Sequence, residues 1–343
     1  PRRYPLFFFH CSYPGDLLYL NAIPGWRQTC DRAVCLIDEI WIRRIAEGGT
    51  RIFRLLEPFD QVFVSVGSSV PALNEATGLA ARHLPFAVDT LTFGPLPWRP
   101  QRGIDVYSIG PQPAPVHAGL AQLARERDFH YLYDTSSVLQ IARERRGDHR
   151  QLYANNLKRS RYFLAYRAKV NQSERVRAQE VAGARYVEGA AAGSVLLGGV
   201  PADPTFDTLF DWPDAVLPLP EDSADVAGLI AGYDAQPERL EQIRWRNVTQ
   251  CLLRHDWAYR WQHILDSAGL SPQPALSARL ERLHDFGALR LISVADDQSR
   301  TVVKLQLGGI SQLDSAGSSS AVIVRSIHPD SHAVVAEVEL TDG

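Results

Sequence analysis

The sequence of 343 residues has no methionine and begins at Pro1 with no initiator, so spacings along it are read to within a residue. Cysteine is scarce: Cys11, Cys30, Cys35 and Cys251 form no Cys-x-x-Cys pair and no compact Cys/His cluster. That excludes the usual zinc spacings and fits free thiols in a reducing cytoplasm. No uninterrupted apolar run approaches the roughly 20 residues that a membrane span needs. Neither charge sign dominates: 36 basic and 39 acidic residues leave a formal charge of −3, which argues against a general nucleic-acid binder. There is no Asp-x-Asp metal motif and no internal repeat. The opening Pro1–Phe9 has a basic start and a short apolar run but no small-residue cleavage site, so a buried strand is expected there rather than a signal peptide.

What is present is ordinary for a folded chain: 45% apolar and 22% charged residues, long enough for two or three domains. Short apolar runs alternate with longer mixed segments. Arg32–Ile42, Phe59–Val66 and Leu84–Val88 read as strands, with a short helix over Ser69–Thr77. The stretch 93–103 (FGPLPWRPQRG), with three prolines and two glycines, is the best linker. After it the pattern repeats: strands at Ile104–Ile109, Phe129–Tyr133, Tyr162–Tyr166 and Ser194–Leu197, and helices over Val116–Arg127, Val138–Arg146 and Gln179–Ala192. Strands alternating with helices predict an α/β fold with parallel sheets. Further helices are expected over Ser223–Tyr233, capped by Asp222 or Ser223, and over Pro237–His255, Asp256–Leu265 and Leu276–Leu283. Four β-like runs from Ala288 onward have the texture of a small antiparallel appendage.

The most informative stretch is 179–201, QEVAGARYVEGAAAGSVLLGGVP. It carries Glu180 and Glu188 with seven residues between them, the second followed by the nearly bare Gly189-Ala190-Ala191-Ala192-Gly193. If Gly189 opens a helix, amides near it and the helix dipole favour a phosphate, and the adjacent carboxylate can grip ribose hydroxyls. The plain alternative is an Ala-rich helix face packed on a sheet beneath two solvated glutamates. Just upstream, residues 158–169 hold five cations and no acid, interrupted by the apolar YFLAY. Arginine offers a planar fork for phosphate oxygens, although a solvated basic face is the commoner outcome for such a run.

The segment from about Phe59 to Leu270 resembles bacterial glycosyltransferases of the GT-B fold, in the group 1 branch that includes spore-coat maturation-like proteins. RYVEGAAAGSVLLGGVP carries the resemblance most specifically. FDQVFVSVGSSVPALNEATG with LPFAVDTLTFGP, DWPDAVLPLPEDSADVAGLIAGYDAQPERLEQIRWRNV and RHDWAYRW support it. The resemblance implies two Rossmann-like domains facing a cleft: an acceptor-side domain over 1–95, a nucleotide-sugar domain over 96–270, and a helix plus β-rich appendage over 271–343. The first is short for such a domain, so a truncated start is expected.

The resemblance also implies roles. Glu188 matches the second glutamate of the family's Glu-x7-Glu motif, which binds the donor ribose, and Glu180 the first, which faces the transferred sugar. Gly189 and Ala190 would offer amides to the diphosphate, with Arg185 beside them and Gly110 as a bare turn after the first strand of the second domain. Here Gly110-Pro111 replaces the family's usual Gly-Arg. Arg161 and Lys169 are candidates to stabilise the leaving diphosphate. His10, at a strand end before a glycine-containing loop, is a candidate acceptor-side base. Asp38-Glu39 could touch an acceptor hydroxyl, and Trp26 or Trp41 could stack on an acceptor ring. The expected reaction moves a sugar from a nucleotide-sugar to an acceptor hydroxyl, on a saccharide, lipid-linked sugar, protein or small molecule. No metal or cofactor is implied, and family precedent leans to retention of configuration. A GT-B protein that binds a saccharide or partner without transfer is the alternative, with an epimerase or phosphorylase behind it. The C-terminal region is a candidate interface between copies.

Overall fold

A computed structural model describes residues 3–47, 50–95, 100–134, 145–172, 179–297, 300–307, 321–325 and 337–341. The proposed Val138–Arg146 helix, the centre of the proline-rich linker and the serine-rich stretch 314–320, expected from its sequence to be loop-like, lie outside or largely outside them. The chain divides into two compact units, Pro1–Ser277 and Ala278–Gly343.

The first unit contains two parallel sheets. One has the strand order β1-β2-β3-β4, formed by β1 (Tyr4–Cys11), β2 (Cys30–Ile37), β3 (Gln61–Val64) and β4 (Arg82–His83). Helices α1 (Ile42–Ala46), α2 (Thr50–Phe53), α3 (Val70–Thr77) and α4 (Thr90–Phe93) accompany it. The near-continuous apolar runs make sense in a sheet covered on both faces. Successive side chains alternate: Phe7, Phe9, Ala33, Cys35 and Ile37 enter one core, while Leu6, Phe8, Val34, Leu36 and Phe63 enter another. The stretch Leu84–Val88 is not a strand. It passes beside the later chain, and Val88 forms an isolated parallel bridge with Asp256.

The second sheet has the order β6-β5-β7-β8-β9, all parallel. Its strands are β5 (Ile104–Ile109), β6 (Tyr131–Asp134), β7 (Ser160–Ala165), β8 (Val195–Gly198) and β9 (Leu217–Pro218). Helices α5 (Ala114–Glu126), α6 (Arg146–Lys158), α7 (Ala184–Ala191), α8 (Pro204–Leu209), α9 (Val226–Asp234) and α10 (Pro237–Arg254) belong with it. Tyr107, Phe163 and Leu196 face α6 and α7, whereas Val106, Leu164 and Leu197 face α5, α9 and α10. Helix α9 is capped by Asp225, which accepts from the Gly228 amide, rather than by Asp222 or Ser223.

Helix α11 (Trp257–Ala268) then returns to the first sheet. Trp257, Trp261, Ile264 and Ala268 form a stripe at helical spacing that covers the Leu6–Phe8 face. Its start is fixed by Asp256, whose carboxylate accepts from the Ala258 amide (2.8 Å) and from the amide and hydroxyl of Thr90 (2.9 and 2.7 Å). Within the first unit this return brings the chain from the second sheet back to the first, and Asp256 ties it to α4.

In the second unit, the remainder of helix α12 (Pro274–Ala288) leads into an antiparallel sheet of order β10-β11-β12-β13. Its strands are β10 (Leu289–Asp297), β11 (Arg300–Leu307), β12 (Ala321–Arg325) and β13 (Glu337–Thr341). The antiparallel texture expected of the tail is present.

Candidate functional site

In a parallel sheet, ligands settle outside the carboxyl ends of the strands where the strand order reverses. Here β5 is followed by β6 on one side, and the chain then crosses to β7 on the other. The turn after β5 is Gly110, with φ +71°, a conformation that favours glycine. Its amide donates to the Asp134 carbonyl (2.9 Å). A Cβ on Gly110 would lie 3.3 Å from an Arg185 guanidinium nitrogen, and Arg185 also donates to the Pro111 carbonyl (2.9 Å). Gly110-Pro111 therefore shapes the seat of Arg185. Burial holds the Arg185 guanidinium below its usual pKa.

Gly189 does not open a helix, and the helix expected over Gln179–Ala192 is shorter. Helix α7 opens at Ala184, after Gly183, and the region Gln179–Gly183 is not helical. Gly189 sits in the last turn, where a Cβ would meet Phe163 at 2.5 Å and Leu196 at 2.6 Å. Its bareness serves close helix–sheet packing, and Ala190 is fully buried in the same core. Both are buried rather than open at the helix surface. The open amides are instead those of the first turn, at Ala184 and Arg185, on a half-exposed helix end.

Glu188 lies one turn into this helix and is 7% exposed. Its two oxygens accept from Arg150 Nη1 (2.6 Å) and the Tyr153 hydroxyl (2.9 Å), both on α6. Arg150 remains about half exposed and lies over the Phe93 ring, 4.4 Å from its centroid. Burial first, and the Glu188 charge second, push the Tyr153 phenol well above its ordinary pKa, so it stays a donor. The arrangement is a nearly buried carboxylate held by two partners, one of them a half-exposed guanidinium.

Glu180 accepts from the Ala202 amide (2.6 Å) and faces Arg167 Nε at 3.7 Å. Arg167 also pairs with Glu221. These groups stand at the ends of β7, β8 and β9. Arg161 does not join them. It is the second residue of β7, at the opposite edge of the sheet, clasped by Asp105 (2.6 Å) and Asp234. Strand direction decides this, because the two ends of one basic run emerge on opposite edges. Lys169 is at the correct edge, in a left-handed backbone conformation (φ +57°), but its ammonium reaches the first sheet. There it pairs with Glu39 (2.9 Å) and lies 4.6 Å from the centre of the Trp41 ring.

His10 is at the carboxyl end of β1, and its Nε2 lies 2.7 Å from Asp38 Oδ2. The Asp38 amide donates to the Cys11 carbonyl (2.9 Å), and the Ser65 hydroxyl donates to the Asp38 carbonyl (2.7 Å). The carboxyl edges of the two sheets meet through Lys169–Glu39 and through the Gln179 amide, which donates to Ser68 and Ser69 (2.8 and 2.9 Å). Trp26 stacks on Phe7 and lies tilted against Phe59 beside the first core. Trp41 is buried beneath Lys169. Sequence reasoning missed Arg150 and Arg167. The second lay within the basic run and was recoverable from its place after YFLAY; the first had no local signal.

Residues 117–266 match the family described as glycosyl transferase-like. No curated protein matches the chain. Among solved structures, HepE from Anabaena in complex with UDP-glucose is 12% identical, with a TM-score of 0.51 over 76% of this chain and 78% of that one. TarM is 10% identical, with a TM-score of 0.48 over 76% of this chain and 54% of that one. The glycosylation-associated Gap123 complex of Streptococcus agalactiae is 10% identical, with a TM-score of 0.38 over 82% and 55%. The chain thus spans about half the length of the last two. The resemblance to GT-B glycosyltransferases drawn from the sequence stands on the matched segment and on the α/β fold with its paired parallel sheets.

Proposed function

We propose that the chain is a glycosyltransferase that takes a hexose from a nucleotide-sugar and delivers it to an acceptor hydroxyl. The observation that carries this reading is the placement of Glu188. It is a nearly buried carboxylate braced by Arg150 and Tyr153, one turn inside a helix whose open end meets the Gly110 turn at the switch point. Such a carboxylate accepts ribose hydroxyls, and the amides of Ala184 and Arg185, with the helix dipole, favour a diphosphate. The UDP-glucose bound by HepE supports a nucleotide-sugar as the ligand class.

In this reading Glu180 meets the transferred sugar. Arg185 and Arg167 stabilise charge growing on the leaving diphosphate, so that no metal is needed at that point. The acceptor approaches from the first sheet's edge. Four buried, reduced thiols fit a cytoplasmic location. Among the described residues no helix is long and apolar enough to cross a membrane. Calorimetric titration with UDP, GDP and ADP tests the reading. Binding of one of them, weakened by Glu188→Gln, supports it; binding of none, or binding indifferent to that change, removes it.

A further inference from the structure

The exposed apolar side chains are not spread evenly over the described surface. Of the nine large ones, four lie between Tyr13 and Ile23: Tyr13 (53% exposed), Leu18 (57%), Tyr19 (69%) and Ile23 (42%). We propose that this segment docks the chain on a membrane surface that carries anionic lipid headgroups, lying in the headgroup boundary without spanning the bilayer. The proposal goes beyond the glycosyltransferase reading and does not depend on it.

The exposure follows from the 3-10 form of Pro14–Ala22. With three residues per turn, side chains three apart stand above one another. One such ridge, Pro14, Leu17 and Leu20, is buried, with both leucines in the first core. The other two ridges bring Leu18 and Tyr19 outward, and Ile23 follows at the helix end. A solvated surface turn carries charged or small polar groups at such positions. Here Asp16 is the only charged residue from Tyr13 to Trp26, and its carboxylate is turned back to the amides of Ser12 and Tyr13 (2.8 and 3.2 Å). Clustered exposed apolar side chains of this kind mark a contact surface.

The charge beside the segment selects the partner. The segment packs against α2 and against the 3-10 turn Arg54–Leu56. Residues 50–56 hold Arg51 and Arg54, both exposed, and no acid; Glu57 is the first. Among the described residues neither arginine is in a salt bridge. Aliphatic tips and tyrosine rings bordered by arginine suit the boundary of an anionic bilayer. The tips enter the acyl region, the phenols stay at headgroup depth, and the guanidiniums meet lipid phosphates. A symmetric contact with a second copy would instead set the same arginines of both chains near one another. The segment leaves β1 at the carboxyl end of the first sheet, so docking sets the proposed acceptor edge beside lipid.

Co-sedimentation of the whole chain with vesicles tests this. One set is phosphatidylcholine alone, the other phosphatidylcholine with about a third phosphatidylglycerol. The expected result is binding to the anionic set, about tenfold or more tighter than to the neutral set and weakened by salt. Arg51→Gln combined with Arg54→Gln should weaken it about thirtyfold, the effect of removing two charges near the surface. Leu18→Ser combined with Tyr19→Ser should weaken it about tenfold or more at an unchanged melting temperature, since both side chains are already exposed. Leu152→Ser, on α6 and also 58% exposed, should change nothing. Binding to neither set, equal binding to both, an unaffected arginine variant, or a Leu152 variant as impaired as the Leu18/Tyr19 one overturns the proposal. So does self-association without lipid, in sedimentation velocity, that the Leu18/Tyr19 change abolishes, because it gives the face to a second copy. If the Leu18/Tyr19 variant does not fold, the arginine variant decides. Nucleotide titration stands apart: a chain that binds anionic vesicles but no nucleotide keeps this proposal and loses the glycosyltransferase reading.

Discussion

Arg161 and Arg167 lie on and just beyond the same strand, and each is held by two carboxylates. Arg161 is clasped by Asp105 and Asp234, Arg167 by Glu180 and Glu221. Composition cannot distinguish them. What separates them is which end of β7 they occupy. Asp105 is the second residue of β5 and Asp234 the last of α9, so the Arg161 cluster fastens the amino-terminal edge of the sheet. The Arg167 cluster joins the ends of three strands at the edge where a parallel sheet binds ligands. A cation's chemistry is thus assigned by the direction of its strand before any question of pairing.

The contrast is broken most sharply by deleting each arginine in turn. Arg167→Ala should lower donor turnover about a hundredfold, the scale expected when a charge stabilising the transition state is removed. Arg161→Ala should leave turnover within a factor of about two. Equal losses in a donor hydrolysis assay would show that the edge does not matter.

Next in size is Gly189→Ala, which sharpens the same lesson on helix α7. A methyl pressed to 2.5 Å from Phe163 overpacks the core, and unfolding free energy should fall by about 1–3 kcal/mol in urea. Nucleotide affinity of the folded fraction should not change. The opposite pattern, intact stability with lost affinity, would restore Gly189 to the ligand site.

A smaller, graded effect should appear with pH. Burial holds His255 down at about 3, against 6.5 when unfolded. Its folded pKa is depressed, so the unfolded chain binds the extra proton first as pH falls. Stability from this neutral histidine is complete above pH 6.5 and drains away between there and about 3. Urea midpoints at pH 7 and pH 5 should therefore differ, and the difference should shrink in His255→Gln. The smallest effect is the stability cost of Arg161→Ala itself. Its pairs are part-exposed and screened, so about 1 kcal/mol is expected, read as a drop of a few degrees in melting temperature.

Much of the architecture was legible because parallel sheets declare themselves through short apolar runs between helices. Ile104–Ile109 was located to the residue, and the α/β alternation and the tail's antiparallel texture were also readable. The return of α11 to the first sheet was not, because an apolar stripe announces burial without saying against which partner. Glu188 was legible as a candidate from the small residues after it, but for a reason the structure reverses. Gly189 is bare because Phe163 and Leu196 press on it. Arg150 was illegible, since 38 residues separate it from Glu188 and only the packing of α6 against α7 joins them. His10 was visible as a histidine at a strand end, while its tie to Asp38 depends on the pairing of β1 with β2.

In the proposed function Glu188 grips a nucleotide's ribose at the carboxyl edge of the second sheet. Calorimetric titration of UDP, GDP and ADP into the wild type and into Glu188→Gln tests that most directly, because glutamine keeps the shape and the Arg150 and Tyr153 side chains nearby. The expected result is saturable binding of one nucleotide by the wild type, weakened at least tenfold, about 1.4 kcal/mol, in the variant at an unchanged melting temperature. Equal affinities in the two proteins, or heat from neither, would contradict it.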